Sequence, residues 1–455
     1  MDKYTDLFSD YAIKVKDISI ETAHEVKRRI LDSFGVMYLA FHESTPKAAR
    51  NYAYMFEQKN GASLFGLNFK TTPEISAFAN CVLVRYLDFN DTYLSKEPLH
   101  PSDMIPGLWS VAEWKNLSGK KLIDSIAVAY EIAVSLCDAA SLRDHGWDHV
   151  NYISIGTVCG LGRLLELKKE TIENAISITI VPNSSMRQTR SGELSMWKGA
   201  AAANSVRNAI FGTLQASCGM TGPNKPFEGE MGFFRELLDG DAFDDKALTS
   251  LFNADSPRRI LDTYIKFYPV EYHAQSAVDI SKELHRYIKS PDDIGSITIE
   301  TFQAAYDIIA KDPEKWNPKT KETADHSLQY ITAACILDGD ISKDSFSKNK
   351  LNDPSIKNTL KKIKIKEDLE FTKLYPEGIP NRITLNTRDN QTYSKEVMYP
   401  RGHSKNKMTD DEVIKKFKDN TESILRTSER DAIIDIIMNL DKCENISDIT
   451  KNLRV

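Results

Sequence analysis

A change of hydrophobic period near residue 267 constrains the fold of this chain more than any other feature. From residue 20 to 265 the apolar residues recur at helical spacing. Ala23, Val26, Ile30, Phe34 and Met37 make one stripe, and Leu122, Ile126, Ala129, Ile132 and Leu136 make another. Ile172, Ala175, Ile176 and Thr179 predict a third helix. Ala200–Ala203 lie in a fourth, where small side chains let a neighbouring helix approach closely. Beyond 267 the pattern alternates instead. Ile294–Phe302, Arg382–Arg388 and Thr392–Met398 read as half-buried strands, the last two joined by a turn at Asp389–Gln391. Helical patterns at 274–288 and 323–337 lie between them, and after Pro400 helices return at Glu412–Lys418 and Arg430–Leu440. The lysine-rich stretch Lys357–Lys366 reads as solvated surface. This order predicts a mainly α protein with a large all-helical domain (1–267). A smaller α/β domain (268–400) is inserted before C-terminal helices (401–455) that rejoin the helical domain. At 455 residues the chain exceeds one typical core, so more than one domain is expected.

The charge balance narrows the function. A net charge of −6 forces no basic face, which argues against a general nucleic-acid binder. The six cysteines are scattered without a C-x-x-C pair, as in reduced core residues, and no iron–sulfur ligand spacing is visible. Neither is an H-E-x-x-H or paired Cys/His zinc pattern, so no metal and no cofactor is expected. Met1–Phe8 is charged early and lacks the apolar core of a secretory leader, and no run approaches a membrane span. A cytoplasmic enzyme is the expectation.

Polar chemistry concentrates in a few places. Arg85-Tyr-Leu-Asp-Phe-Asn-Asp-Thr-Tyr-Leu94, followed by Leu99-His-Pro-Ser-Asp103, crowds carboxylates, a hydroxyl and an imidazole between two helical patterns. The upstream stripe (Ile75, Phe78, Ala79, Val82, Tyr86, Phe89) predicts that Asp88 and Asp91 fall on the last turn of a helix, where the macrodipole disfavours carboxylates. Pro101–Asp103 opens the next helix and sets His100 just before an N-terminus, a natural anion site. Taken alone, such a segment is an ordinary capped helix–loop–helix. His149 lies in His145-Gly-Trp-Asp-His149, where a single histidine is more often structural than catalytic. In Arg187-Gln-Thr-Arg-Ser-Gly-Glu-Leu-Ser-Met-Trp-Lys-Gly199 the cations ordinarily read as surface charge. Lys198, however, is bracketed by Trp197 and small residues. If Glu193–Ala203 is helical it sits inside a buried helix and needs an anionic partner. Arg187 and Arg190 are suited to gripping carboxylates bidentately.

Together with Gly219-Met-Thr-Gly-Pro223 and Tyr399-Pro-Arg-Gly-His403, these segments resemble the MmgE/PrpD family nearly end to end. That family includes 2-methylcitrate dehydratases, cis-aconitate decarboxylase and an iminodisuccinate epimerase. The resemblance implies a homodimeric hydro-lyase that dehydrates 2-methylcitrate to 2-methyl-cis-aconitate in propionate catabolism. Asp88 and Thr92 match family positions near the substrate, and Lys266 matches a substrate-facing lysine ahead of an aromatic–proline element. In the decarboxylase branch a histidine follows nearer that proline. Here Val270 and Glu271 occupy the region and His273 comes later, which favours the dehydratase. Cis-aconitate decarboxylation, citrate dehydration, epimerisation and an inactive helical scaffold are the alternatives.

The implied chemistry accounts for these residue types. Removing a proton α to a carboxylate builds charge on a group already negative, so cations such as Lys198, Lys266, Arg187 and Arg401 would stabilise the developing dianion. His100 and His149 are assigned as the acid–base pair, without choosing between them. Asp91, Arg190 and His273 complete the substrate contacts, and His326 in Thr323–Ser327 is read as a structural brace.

Overall fold

The computed structural model describes residues 1–15 and 18–454. It is 57% helix and 9% strand, a predominantly α protein with small sheets. The chain divides into two compact units. The first comprises Met1–Arg190, Trp197–Thr263 and Thr409–Val455, and the second Ser191–Met196 and Tyr264–Met408.

The first unit is built from α1 (Lys3–Lys14), α2 (Ile20–Leu39), α3 (Ser44–Ala53), α4 (Pro73–Arg85), α5 (Ile105–Trp114), α6 (Gly119–Ala139), α7 (Val150–Leu164), α8 (Lys169–Ile180) and α9 (Ala201–Ser217). Helix α6 is its spine: Leu122, Ile126, Ala129, Ile132 and Leu136, the stripe read from the sequence, are all buried. Two glycines let α7 press against it. A Cβ on Gly156 would lie 2.8 Å from the Ala129 carbonyl oxygen and 2.9 Å from Ala133 Cβ, and one on Gly160 3.0 Å from Ala129 Cβ. A two-stranded ribbon, β1 (Glu57–Ser63) with β2 (Lys70–Thr71), adds a small sheet that helical periodicity did not anticipate.

Residues Thr409–Val455 group with this unit. Lys416, on the helix Asp410–Thr421, is buried between Asp32 of α2 (Nζ–Oδ1 2.6 Å) and the carbonyl of Phe89 (3.0 Å). The tether therefore reaches the residue next to Asp88.

The second unit carries a four-stranded sheet in the order β4-β3-β5-β6, from β3 (Ile294–Thr301), β4 (Ile363–Glu367), β5 (Asn381–Thr387) and β6 (Thr392–Val397). β5 alternates buried and half-buried residues along its length and turns into β6 at Asn390, which is left-handed (φ +62°). β4 corrects the reading of Lys357–Lys366 as plain surface. It pairs in parallel with β3, burying Ile363 while its lysines point outward. An edge strand with charged residues on its open face discourages pairing with another chain, and its composition mimics a solvated loop. Helices α10 (Gln275–Leu284) and α11 (Leu328–Asp338) accompany the sheet. Among the described residues no helix is long and apolar enough to cross a membrane.

Candidate active site

Helix α4 stops at Arg85, short of the expected position, so Asp88 and Asp91 lie in the loop beyond it. Asp88 adopts the left-handed conformation (φ +54°) and its N–H donates to the Arg85 carbonyl at 3.1 Å, which turns the chain off the helix axis. Aspartate tolerates this conformation better than most residues. The Arg85 guanidinium, 1% exposed, folds back onto Asp88 Oδ1 and stands 3.6 Å from Asp103 Oδ2. This arginine neutralises charge that a helix C-terminus would otherwise repel. Two expected residues converge on the same carboxylate. His100 Nε2 is 3.6 Å from Asp88 Oδ1, and Lys198 Nζ is 3.8 Å from Oδ2.

The loop reaches this geometry by closing on itself. Tyr93 and Leu99 exchange backbone hydrogen bonds of 2.8 and 2.9 Å, which returns His100 to Asp91. His100 Nδ1 then donates to the Asp91 carbonyl at 2.9 Å. Because a carbonyl only accepts, that nitrogen carries the proton and Nε2 is the one that exchanges it. The side chains of Asp91 and Thr92 turn inward. Asp91 accepts from Ser102 N–H (2.9 Å) and Tyr130 O–H (2.7 Å), and Thr92 donates to the Leu99 carbonyl (3.0 Å). Their observed partners brace the loop. Asp103 accepts from Asn90 at 2.9 Å. Burial pushes its pKa up to about 7, against the pull of Arg85.

His149 sits at the start of α7, its ring centroid 5.8 Å from that of His100. Neither ring nitrogen has a hydrogen-bond partner among the described residues, although Nδ1 lies 3.4 Å from Asp148 Oδ1. Burial, reinforced by the charge of Arg190, holds its pKa well below the ordinary histidine range, so the ring is neutral at pH 7. Arg190 Nε donates to Asp148 at 3.0 Å, while its Nη2 is buried without a partner among the described residues. Arg187 and Arg190 share a 3₁₀ turn zipped to the His149 loop by Arg187 N–H to the Gly146 carbonyl (2.9 Å) and the Trp147–Met186 bridge. The half-buried Arg187 has its pKa lowered by burial, with Glu97 opposing. Lys198 is 3% exposed, as its neighbours suggested, but it rides on the 3₁₀ turn Met196–Gly199 ahead of α9 rather than inside a helix. Gly192, left-handed at φ +70°, and Gly199 break the run that the sequence extended to residue 193.

The second unit holds the remaining candidates. Lys266 and His273 are buried at 1% and 2% exposure. His273 Nδ1 donates to Glu271 Oε1 at 2.7 Å, and its Nε2 is 3.5 Å from the Tyr375 hydroxyl. Burial works against ionising Glu271, but His273, His326 and Lys266 together hold its pKa at about 2. Arg401 donates to Asn406 Oδ1 at 2.7 Å and its backbone N–H meets Asp279. His326 pairs with Asp325 at 2.6 Å. Arg85, Asp148 and Glu271 were not singled out as site residues by sequence. Their signal was proximity alone: each stands within three positions of a predicted carboxylate or imidazole. Among the described residues no three His, Cys, Asp or Glu side chains converge as a metal ion would require.

A carboxylate held by an arginine, two imidazoles and a buried lysine thus lie close together, groups of the kind that exchange protons and offset negative charge. Family models match the chain over both units: the MmgE/PrpD N-terminal domain over residues 8–246 and the C-terminal domain over 268–442. The chain belongs to the MmgE/PrpD family. Among curated relatives, the 2-methylcitrate dehydratase of Escherichia coli (strain K12) is 28% identical, over 85% of this chain and 83% of its own. The mitochondrial 2-methylcitrate dehydratase of Yarrowia lipolytica is 29% identical over 76% and 69%, respectively. The cis-aconitate decarboxylase of Mus musculus is 23% identical over 98% and 91%.

Proposed function

We propose that this enzyme is a hydro-lyase that removes water from 2-methylcitrate to give 2-methyl-cis-aconitate, in the cytoplasm and as a homodimer. The observation that carries the reading is the buried meeting of Asp88, His100 and Lys198 around Arg85. It supplies a base and a cation in one place, in a chain whose relatives include named 2-methylcitrate dehydratases.

In this reading His100 Nε2 takes the proton from the carbon α to a substrate carboxylate. The imidazolium that forms faces Asp88, which stabilises it and holds the ring in place. Lys198 offsets charge that builds on the substrate carboxylate as the proton leaves. Arg187 and the unpartnered Nη2 of Arg190 bind a further carboxylate. His149, kept neutral, hydrogen-bonds the substrate rather than acting as a proton donor. Asp91 and Thr92 serve by fixing the loop that carries His100.

The test is ultraviolet absorbance of the new conjugated double bond on adding 2-methylcitrate, with citrate in parallel. A rise that favours 2-methylcitrate is expected. Discrimination by one methyl group in an apolar pocket is worth about 1–3 kcal/mol, so roughly tenfold or more in kcat/KM. No rise with either substrate would overturn the reading. The second reading, cis-aconitate decarboxylation, is favoured by the match to the mouse decarboxylase over nearly the whole chain, and carbon dioxide release would reveal it.

A further inference from the structure

Asp88 works from a strained backbone position. Its φ of +54° is left-handed, which a residue other than glycine holds only when its surroundings impose it. The apolar spacing of α4 runs on to Phe89, so the local sequence favours continuing the helix through Asp88. Contacts from elsewhere in the first unit therefore fix the turn. On one side the Asp88 N–H donates to the Arg85 carbonyl (3.1 Å). Two residues on, Asn90 donates to Ser102 Oγ (2.8 Å) and Asp103 Oδ1 (2.9 Å). Between them Phe89 is gripped by Lys416. The amine donates to the Phe89 carbonyl at 3.0 Å and stands 3.8 Å from the centroid of the Phe89 ring.

Lys416 is itself firmly held. Its helix, Asp410–Thr421, presses so close to α2 that a Cβ on Gly35 would lie 3.2 Å from Phe417 Cα. Lys416 Nζ is 2.6 Å from Asp32 Oδ1, and both side chains are buried. Burial pushes the Asp32 carboxyl up, and Lys416 is the first of the charges that oppose it. A buried ion pair often stabilises a fold no better than apolar residues of the same volume, so stability alone gives little reason for this one. The bond to Phe89 gives it a conformational task.

We propose that Lys416 is a positioning residue: by holding the carbonyl and ring of Phe89 it keeps Asp88 in its left-handed turn, with the carboxylate 3.6 Å from His100 Nε2 and 3.8 Å from Lys198 Nζ. The catalytic consequence rests on the dehydratase reading; the hold on the loop does not. Released from Lys416, the turn relaxes toward right-handed backbone and the Asp88 carboxylate swings off both partners. In the dehydratase reading Asp88 acts on an imidazolium that forms only as the proton is taken. Misplacing it therefore lowers kcat and kcat/KM together and leaves KM little changed. A displacement of about 1 Å is enough to cost roughly 10²-fold.

The test is Asp32→Asn/Lys416→Met in the full chain. Methionine keeps an apolar contact with the Phe89 ring but cannot donate, and asparagine leaves no buried carboxylate unpaired. Unfolding free energies are measured in urea, and enough urea is added to the more stable protein to match the two. Amide hydrogen exchange is then followed by mass spectrometry without substrate. The peptide that carries the Asp88 N–H should exchange about tenfold or more faster in the double variant, while peptides from α6 exchange alike in both. Equal exchange at Asp88 would overturn the proposal. With 2-methylcitrate, kcat of the double variant should be about 10–100-fold lower at unchanged KM. Full recovery of kcat, or a loss confined to KM, would overturn the positioning role and leave Lys416 to stability alone. If the unsubstituted protein did not turn over 2-methylcitrate, the dehydratase reading would fall, and the exchange comparison would still decide whether Lys416 holds Asp88.

Discussion

Replacing Asp103 by asparagine should change how stability responds to pH, by an amount set by burial. The Asp103 side chain is fully buried, and its pKa rises from 3.8 in the unfolded chain to about 7 in the folded one. Between pH 5 and pH 7 the folded protein therefore keeps a proton on Asp103 that the unfolded chain has released. Binding more protons in the folded state makes unfolding free energy fall as pH rises, by at most about 1.4 kcal/mol per unit and roughly 2 kcal/mol over that interval, since the proton is half lost by pH 7. Above the folded value both states are ionised, and the penalty levels off at about 4 kcal/mol. Asparagine copies the shape of the protonated acid and does not titrate. Urea unfolding followed by far-UV circular dichroism at pH 5, 6, 7 and 8 gives the test. The difference between Asp103→Asn and the unsubstituted protein cancels the other titrating groups. It should grow in favour of the variant from pH 5 to 7 and then stay level. A difference that is flat with pH would refute the argument that burial outweighs the pull of Arg85 on this carboxyl.

Other outcomes follow from the same geometry. His100→Gln should lower kcat about 10²–10⁴-fold with an unchanged circular dichroism spectrum, whereas loss of secondary structure would assign the residue to the scaffold. Lys198→Met should reduce kcat/KM by about 10²–10³-fold if its charge is felt chiefly in the transition state, and a change confined to KM would contradict that role. Lys416→Met leaves Asp32 buried without its partner and should cost about 3–5 kcal/mol in denaturant unfolding; adding Asp32→Asn should recover much of it. Dialysis against a chelator should leave turnover of 2-methylcitrate intact, and a loss restored by a divalent ion would disprove the metal-free mechanism.

Much of the fold was legible because burial leaves a periodic trace. The stripe on α6 and the alternation in β3 and β5 are each the imprint of one face against a core, and each falls where the sequence put it, whereas β6, read as half-buried, is an edge strand that is mostly exposed. β4 was missed because an edge strand buries little, and its lysines look like a solvated loop. The end of α4 was misplaced because apolar spacing continues from Tyr86 to Phe89, across the point where the backbone turns at Asp88. Residues of the site were recognisable as types: His100, Lys198 and Arg190 stand out wherever chemistry is dense. The charged residues around them were not, since Arg85, which pairs with Asp88, and Asp148, which accepts from Arg190, look like any charged residue beside a helix.

The sequence by itself determined the class of the fold, its change of texture near residue 267 and the family, because these depend on order along the chain. Tertiary structure alone decided which charges meet. Whether Asp91 faces a substrate or Tyr130, and whether Asp103 carries a proton at neutral pH, depends on side-chain direction and desolvation. Both are set by packing among residues far apart in the chain, and no local spacing encodes them.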